Sequence, residues 1–164
     1  MGEIPRNSRS DCPVNFAVEI LGDKWSLLII RDIIFWGKKT YGDFMKSDEG
    51  IATNILANRL AFLEKEGVIV RSKHAADKRS EVYDVTERGL DLIPVLIEMV
   101  AWSGKNDLWH ALGPIGAIEQ KRLVQRAIKT KNKYAAIEKF KAIVRGGGYI
   151  FEGVVRPAKS EPPA

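Results

Sequence analysis

Residues 50–67 read GIATNILANRLAFLEKEG, and the spacing within them decides the fold. Leu56, Leu60 and Leu63 fall at i, i+4 and i+7, with Ile51 a turn and a residue earlier, so one face of an α-helix is apolar. Thr53, Asn54, Ala57, Asn58 and Arg59 cover the flank facing away. These are short polar side chains and one Arg, not the Glu/Lys mixture of a merely solvated face. Asn can pair bidentately with adenine and Arg with guanine, so such a flank suits base edges in a DNA groove. The competing reading is an ordinary amphipathic helix. Gly67 stands where a left-handed residue would end the helix.

On the C-terminal side, Val68-Ile-Val-Arg71 reads as a strand, Asp77-Lys-Arg-Ser80 as a basic turn and Val82-Tyr-Asp-Val85 as a second strand. On the N-terminal side, Tyr41–Lys46 is a short helix anchored by Tyr41, Phe44 and Met45, and Ser47–Gly50 is a turn. A short helix, a turn, a longer helix and a basic hairpin stand in the order of a winged helix-turn-helix. The expected fold class is therefore mainly α with a small β-hairpin wing (α+β), a winged helix-turn-helix domain with flanking dimerisation helices.

The chain has 164 residues, 45% apolar content and a single cysteine. That length suffices to bury a core without staples. One cysteine excludes an intrachain disulfide and fits a reducing cytosol. The excess of 26 Lys and Arg over 21 Asp and Glu, net +5, favours an anionic partner without naming it. No apolar run approaches the ~18 residues of a membrane span, and the start lacks the apolar core of a secretion signal. A cytoplasmic protein without membrane contact is expected.

Four segments follow. Residues 1–11 read as a mobile N-terminal arm, 12–105 as the DNA-binding and dimerisation domain, 106–145 as a basic helical extension, and 146–164 as an extended or disordered tail. Within the second, Pro13 suits a first helical position after a cap at Asp11 or Cys12, and Gly22-Asp23 ends that helix. Lys24–Phe35 is a core helix with Trp25, Leu28, Ile29 and Ile33 inward. Thr86 caps a helix running to Lys105 that Pro94 kinks or divides. That helix is apolar nearly all round. It is expected to be partly core and partly subunit interface, with Phe16, Ile20, Ile97, Met99 and Trp102 as interface residues. The alternative is cover by the chain's own C-terminal segment. Ile115–Ile128 and Tyr134–Val144 have helical spacing, and their many cations read as a solvated face or as phosphate contacts.

Residues 12–104 resemble the HxlR-type winged-helix transcriptional regulators of bacteria and archaea. The resemblance rests on Cys12-Pro-Val14, Gly22-Asp-Lys-Trp25, Tyr41-Gly-Asp-Phe44, Gly50-Ile51 with Leu56, Leu60 and Leu63, Gly67, Val82-Tyr83, Thr86-Glu-Arg-Gly89, and Pro94 with Trp102. It implies a dimeric DNA-binding regulator pairing through terminal helices, in a family where some members answer to aldehydes, quinones or oxidants through a Cys near the N-terminus. The sequence departs from the family in three places. Thr40 stands where many members carry Arg. Asp77-Lys-Arg79 replaces a proline-rich wing and looks more like that of MarR-type regulators. Beyond Lys105 the similarity fades.

Other chemistry finds little support. His74 and His110 are far apart with no ligand at metal spacing, and no nucleophile elbow or phosphate loop occurs. No metal, cofactor or catalytic residue is assigned. Cys12 is the candidate thiol sensor, because a helix N-terminus favours the thiolate; the competing reading is an inert thiol. The function expected is a sequence-specific DNA-binding regulator, a repressor, binding a near-palindromic operator as a homodimer and responding to a thiol-reactive or small-molecule effector. The alternative is a winged-helix protein-interaction module. Thr53, Asn54, Asn58 and Arg59 are the expected base-reading residues, and Thr40, Tyr41, Lys73, Lys78 and Arg79 the expected wing and backbone contacts.

Overall fold

The computed structural model describes residues 10–74, 79–105 and 132–152. Their elements are α1 (Pro13–Leu21), α2 (Ser26–Trp36), α3 (Tyr41–Met45), α4 (Thr53–Lys65), β1 (Ile69–Lys73), β2 (Glu81–Val85), α5 (Glu87–Leu90), α6 (Ile93–Lys105) and α7 (Lys133–Arg145). The mainly helical class with a two-stranded wing is observed. The expected helix Ile115–Ile128 and residue Lys78 lie outside the described residues.

Helix α2 occupies the centre. Ile29, Ile30, Ile33, Ile34 and Phe35 are all buried, so it is apolar around most of its circumference. It starts at Ser26 rather than Lys24, because the Asp23 carboxylate accepts the backbone N–H groups of Trp25 (2.8 Å) and Ser26 (2.9 Å) at its first turn. It ends at Gly37, which is left-handed at φ 64°. A Cβ on Gly37 would sit 2.4 Å from the Tyr149 ring, so conformation and close approach both require glycine.

The charged pair that interrupts this apolar helix is structural. Asp32 is only 2% exposed. Its carboxylate accepts from Arg31 (2.6 Å), from the Lys38 ammonium (2.8 Å) and from the Ser47 hydroxyl. Arg31 reaches on to Glu49 at 2.7 Å. Ser47 and Glu49 belong to the turn between α3 and α4, so this turn is fastened to α2 by charge-assisted hydrogen bonds. Among the described residues, no buried side-chain nitrogen or oxygen lacks a hydrogen bond.

Helix α3 opens with a capping box. Thr40 accepts from the Asp43 N–H (3.2 Å), and Asp43 accepts from the Thr40 N–H (3.0 Å). Helix α4 buries Leu56, Leu60 and Leu63, as their spacing requires. Each such side chain contributes about 2 kcal/mol of burial. Strands β1 and β2 pair antiparallel with Arg71 opposite Tyr83 and Lys73 opposite Glu81. Thr40 forms a bridge to Val82, and the Tyr83 backbone N–H donates to the Lys39 carbonyl at 2.8 Å. The hairpin is thus tied to the start of α3.

The helix expected over 86–105 is divided at Asp91–Leu92, and Pro94 takes the second position of α6, where its missing N–H costs nothing. Ile93, Leu96 and Ile97 of α6 are buried. Helix α7 covers another part of α6. It is held by Lys133–Glu98, by Lys141–Asp91 (2.7 Å) and by a bidentate Arg145–Glu87 pair (both bonds 2.7 Å). After Gly147, left-handed at φ 84°, the chain turns back onto α2: Ile150 donates to the Ile34 carbonyl (2.9 Å) and Phe151 to the Phe35 carbonyl (3.0 Å). The Phe151 ring packs on Phe35 and Trp36 at 4.9 and 5.2 Å. Residues 132–152 therefore share the core of the winged-helix region.

Replacing Asp32 by Ala strands the Lys38 ammonium and one arm of Arg31. The expected loss of stability is about 2–4 kcal/mol in urea titrations. Asp32→Asn, which keeps one acceptor, should lose less. A loss below about 1 kcal/mol for Asp32→Ala would contradict this role.

Candidate DNA interface

Helix α4 presents Thr53, Asn54, Ala57, Asn58, Ala61 and Lys65 to solvent. Asn54, Asn58, Ala61 and Lys65 repeat at i, i+4, i+7 and i+11, a continuous outward stripe opposite the leucines. Ala57 and Ala61 leave room for close approach, and the two Asn supply paired donors and acceptors. Lys65 was not among the expected contacts, although this periodicity marks it.

Arg59 is placed differently from the others. It is half-buried, with Nη1 3.2 Å from the Asp23 carboxylate and the guanidinium 4.9 Å from the centre of the Phe62 ring. It lies on the flank toward the α1–α2 turn rather than on the outward stripe.

The N-terminal end of α4 is fixed by Tyr41, whose hydroxyl donates to the Thr53 carbonyl at 2.7 Å. Thr40 caps α3 with its side-chain oxygen. Both expected contacts thus carry structural bonds next to the helix that faces outward. On the wing, Lys73 is 3.3 Å and Arg71 is 3.2 Å from the Glu81 carboxylate, and Arg71 also meets Glu64 at 3.3 Å. Arg71 and Lys73 share one strand face, two residues apart, which is the signal that marks Arg71 as well. Arg71 and Lys73 hold the Glu81 carboxyl below its usual range. Arg79, the described residue nearest the hairpin tip, is exposed. The hairpin closes through the His74 N–H donating to the Ser80 carbonyl at 2.9 Å.

Of the expected interface residues, Ile20 and Ile97 face the chain's own core, Ile97 being 1% exposed. Phe16 is half-buried beneath the Arg88 guanidinium, 5.7 Å from its ring centre. Met99 and Trp102 remain exposed at 46% and 67%, joined on α6 by Val95 and on α1 by Val14 and Val18. Packing against α2 and α7, which periodicity of one helix does not reveal, decides which side of α6 is exposed.

Cys12 is exposed and occupies the cap position of α1. The backbone N–H groups of Asn15 and Val14 stabilise its thiolate and draw the thiol below the ordinary range. Among the described residues no group of three or more His, Cys, Asp or Glu could hold a metal ion, and no helix is long and apolar enough to cross a membrane.

Comparison with known proteins places this geometry. A family model described as HxlR-like helix-turn-helix matches residues 20–109. An HTH-type transcriptional regulator of Synechocystis sp., sll1512, is 35% identical over 88 residues, which are 54% of this chain and 64% of that protein. The chain thus spans a little under two thirds of that relative's length. The crystal structure of PA1607, a candidate transcription factor, superposes with a TM-score of 0.57 at 36% identity over 62% of this chain and 69% of that one. The redox regulator HypR, in its oxidised form, gives a TM-score of 0.51 at 27% identity, covering 57% of this chain and 96% of the other.

The lowered thiol predicts that Cys12 reacts with a maleimide or bimane reagent with a pH midpoint below that of glutathione. A midpoint at or above that of glutathione would contradict the helix-cap assignment.

Proposed function

The chain belongs to the HxlR-like helix-turn-helix family and is a transcriptional regulator rather than an enzyme; from this we propose that it acts in the cytoplasm as a sequence-specific repressor, a homodimer on a near-palindromic operator. The observation that carries the reading is the outward stripe of α4. Its exposed residues are small or amide-bearing, and the buried leucines behind them fix which side faces out. In this reading α4 enters a major groove with Thr53, Asn54 and Asn58 toward base edges. The wing, with Arg71, Lys73, Lys78 and Arg79, follows the flanking backbone.

Exposed Val95, Met99 and Trp102 on α6, with Val14 and Val18 on α1, support association of two copies. A two-fold axis places two α4 helices in successive turns of one groove, with half-site centres about 34 Å apart. Repression follows if the operator overlaps a promoter. Cys12 is the proposed point of entry for a thiol-reactive effector. The likeness to a redox regulator and the lowered thiol both support that role. With one cysteine per chain, the product is a mixed disulfide, an adduct or a bond between subunits.

Enrichment from a pool of random-sequence duplexes tests the reading. The wild type should enrich a near-palindrome. Asn58→Ala should weaken binding by about 1–3 kcal/mol and relax preference at particular base pairs. Failure of the wild type to enrich any sequence would leave the protein-interaction alternative. For the dimer, Trp102→Lys should give a folded monomer in sedimentation, whereas Ile97→Lys should unfold the chain. A wild type that sediments as one chain at micromolar concentration would overturn the dimer.

A further inference from the structure

Arg59 has the side chain best suited to reading guanine, yet its surroundings argue against that use. At about 100° per residue, Arg59 lies nearer the leucine stripe of α4 than the outward Asn54 and Asn58. Its guanidinium is engaged from two sides, by Asp23 at 3.2 Å and by the Phe62 ring at 4.9 Å. The partner carboxylate is itself immobilised. One Asp23 oxygen accepts from the Trp25 and Ser26 N–H groups, at 2.8 and 2.9 Å; the other accepts from the Ser26 hydroxyl and from Arg59. Burial raises the Asp23 carboxyl, but these hydrogen bonds outweigh it and keep the group charged. Asp23 therefore belongs rigidly to the first turn of α2, and whatever it grips shares that frame.

We propose that Arg59 is a positioning residue: through Asp23 it locks the rotation of α4 about its own axis relative to the α1–α2 turn, and it does not read a base. Helix α4 then has three ties of different origin. Tyr41 holds its N-terminal end, Glu64 meets Arg71 on the wing near its C-terminal end, and Arg59 fixes the middle. The leucines alone permit small rolling of a helix on its apolar bed. A charge-assisted bond off to one side does not, because rolling stretches it. Swinging Arg59 out to DNA would forfeit the Asp23 and Phe62 contacts together. The tie also joins α4 to the end of α1, the helix capped by Cys12.

This inference rests on the DNA-binding reading, and the test separates the two. Asp23→Asn keeps an amide oxygen for the Trp25 and Ser26 N–H groups while removing the charge that holds Arg59. Asp23→Asn, Arg59→Ala and the double variant, each checked for folding by thermal melts, are titrated against the duplex enriched by the wild type. Each single change should weaken binding roughly threefold to fivefold, as the loss of one half-exposed ion pair would. The double variant should bind no more weakly than the singles. All three should enrich the same sequence from the random pool as the wild type. The proposal is overturned if Arg59→Ala alters preference at a base pair, if Asp23→Asn binds like wild type, or if the two losses multiply. A wild type that enriches no sequence overturns the DNA-binding reading instead.

Discussion

One buried carboxylate holds the functional half of this molecule in place. Asp32 sits inside the most apolar helix, at 2% exposure, and gathers Arg31, Lys38 and Ser47 around it. A charge in that position is costly unless every oxygen is satisfied. Here the partners come from α2 itself, from the segment after it and from the turn between α3 and α4. Satisfying the charge therefore requires the turn to lie against α2. Gly50, left-handed at φ 65°, then leads the chain into α4, and the leucines seat the helix on the core.

The orientation of α4 has consequences for how charge is used. The net charge of +5 points to an anionic partner, but many of the cations are spent inside the fold. Lys133, Lys141 and Arg145 of α7 meet Glu98, Asp91 and Glu87, and serve to fasten α7 along α5 and α6. Arg71 and Lys73 share Glu81 at the wing. In the proposed reading, specific readout falls to the amides and hydroxyl of α4, and cations at the wing contribute mainly register and salt-dependent affinity.

The winged-helix core was legible because its signals are local. Leucine spacing gave α4, glycines marked three of its turns, and the cap Thr86 lies beside the helix it starts, whereas the capping role of Thr40 shows only in the structure. What the sequence concealed depends on residues distant along the chain. Asp32 reads as a break in an apolar run until Lys38 and Ser47 are seen around it. Arg59 reads as one more polar residue of the outer flank, and its contact with Asp23, on the α1–α2 turn, shows only in the fold. Ile20 and Ile97 are as apolar as Met99 and Trp102, and only packing against α2 and α7 separates core from surface. The return of Ile150 and Phe151 onto α2 uses backbone hydrogen bonds, which leave no pattern in side-chain periodicity.

In the proposed reading the Asn54–Asn58 face of α4 meets DNA bases. The chain's single cysteine allows a direct measurement, because Cys12→Ser leaves no native thiol. In that background, a DNA-cleaving chelate attached through Asn58→Cys should cut the bound duplex at two symmetric positions within the enriched site. The same chelate attached through Lys139→Cys, on the exposed side of α7, should leave the site uncut. Cutting confined to the α7 label, or spread without position from both, would contradict the account.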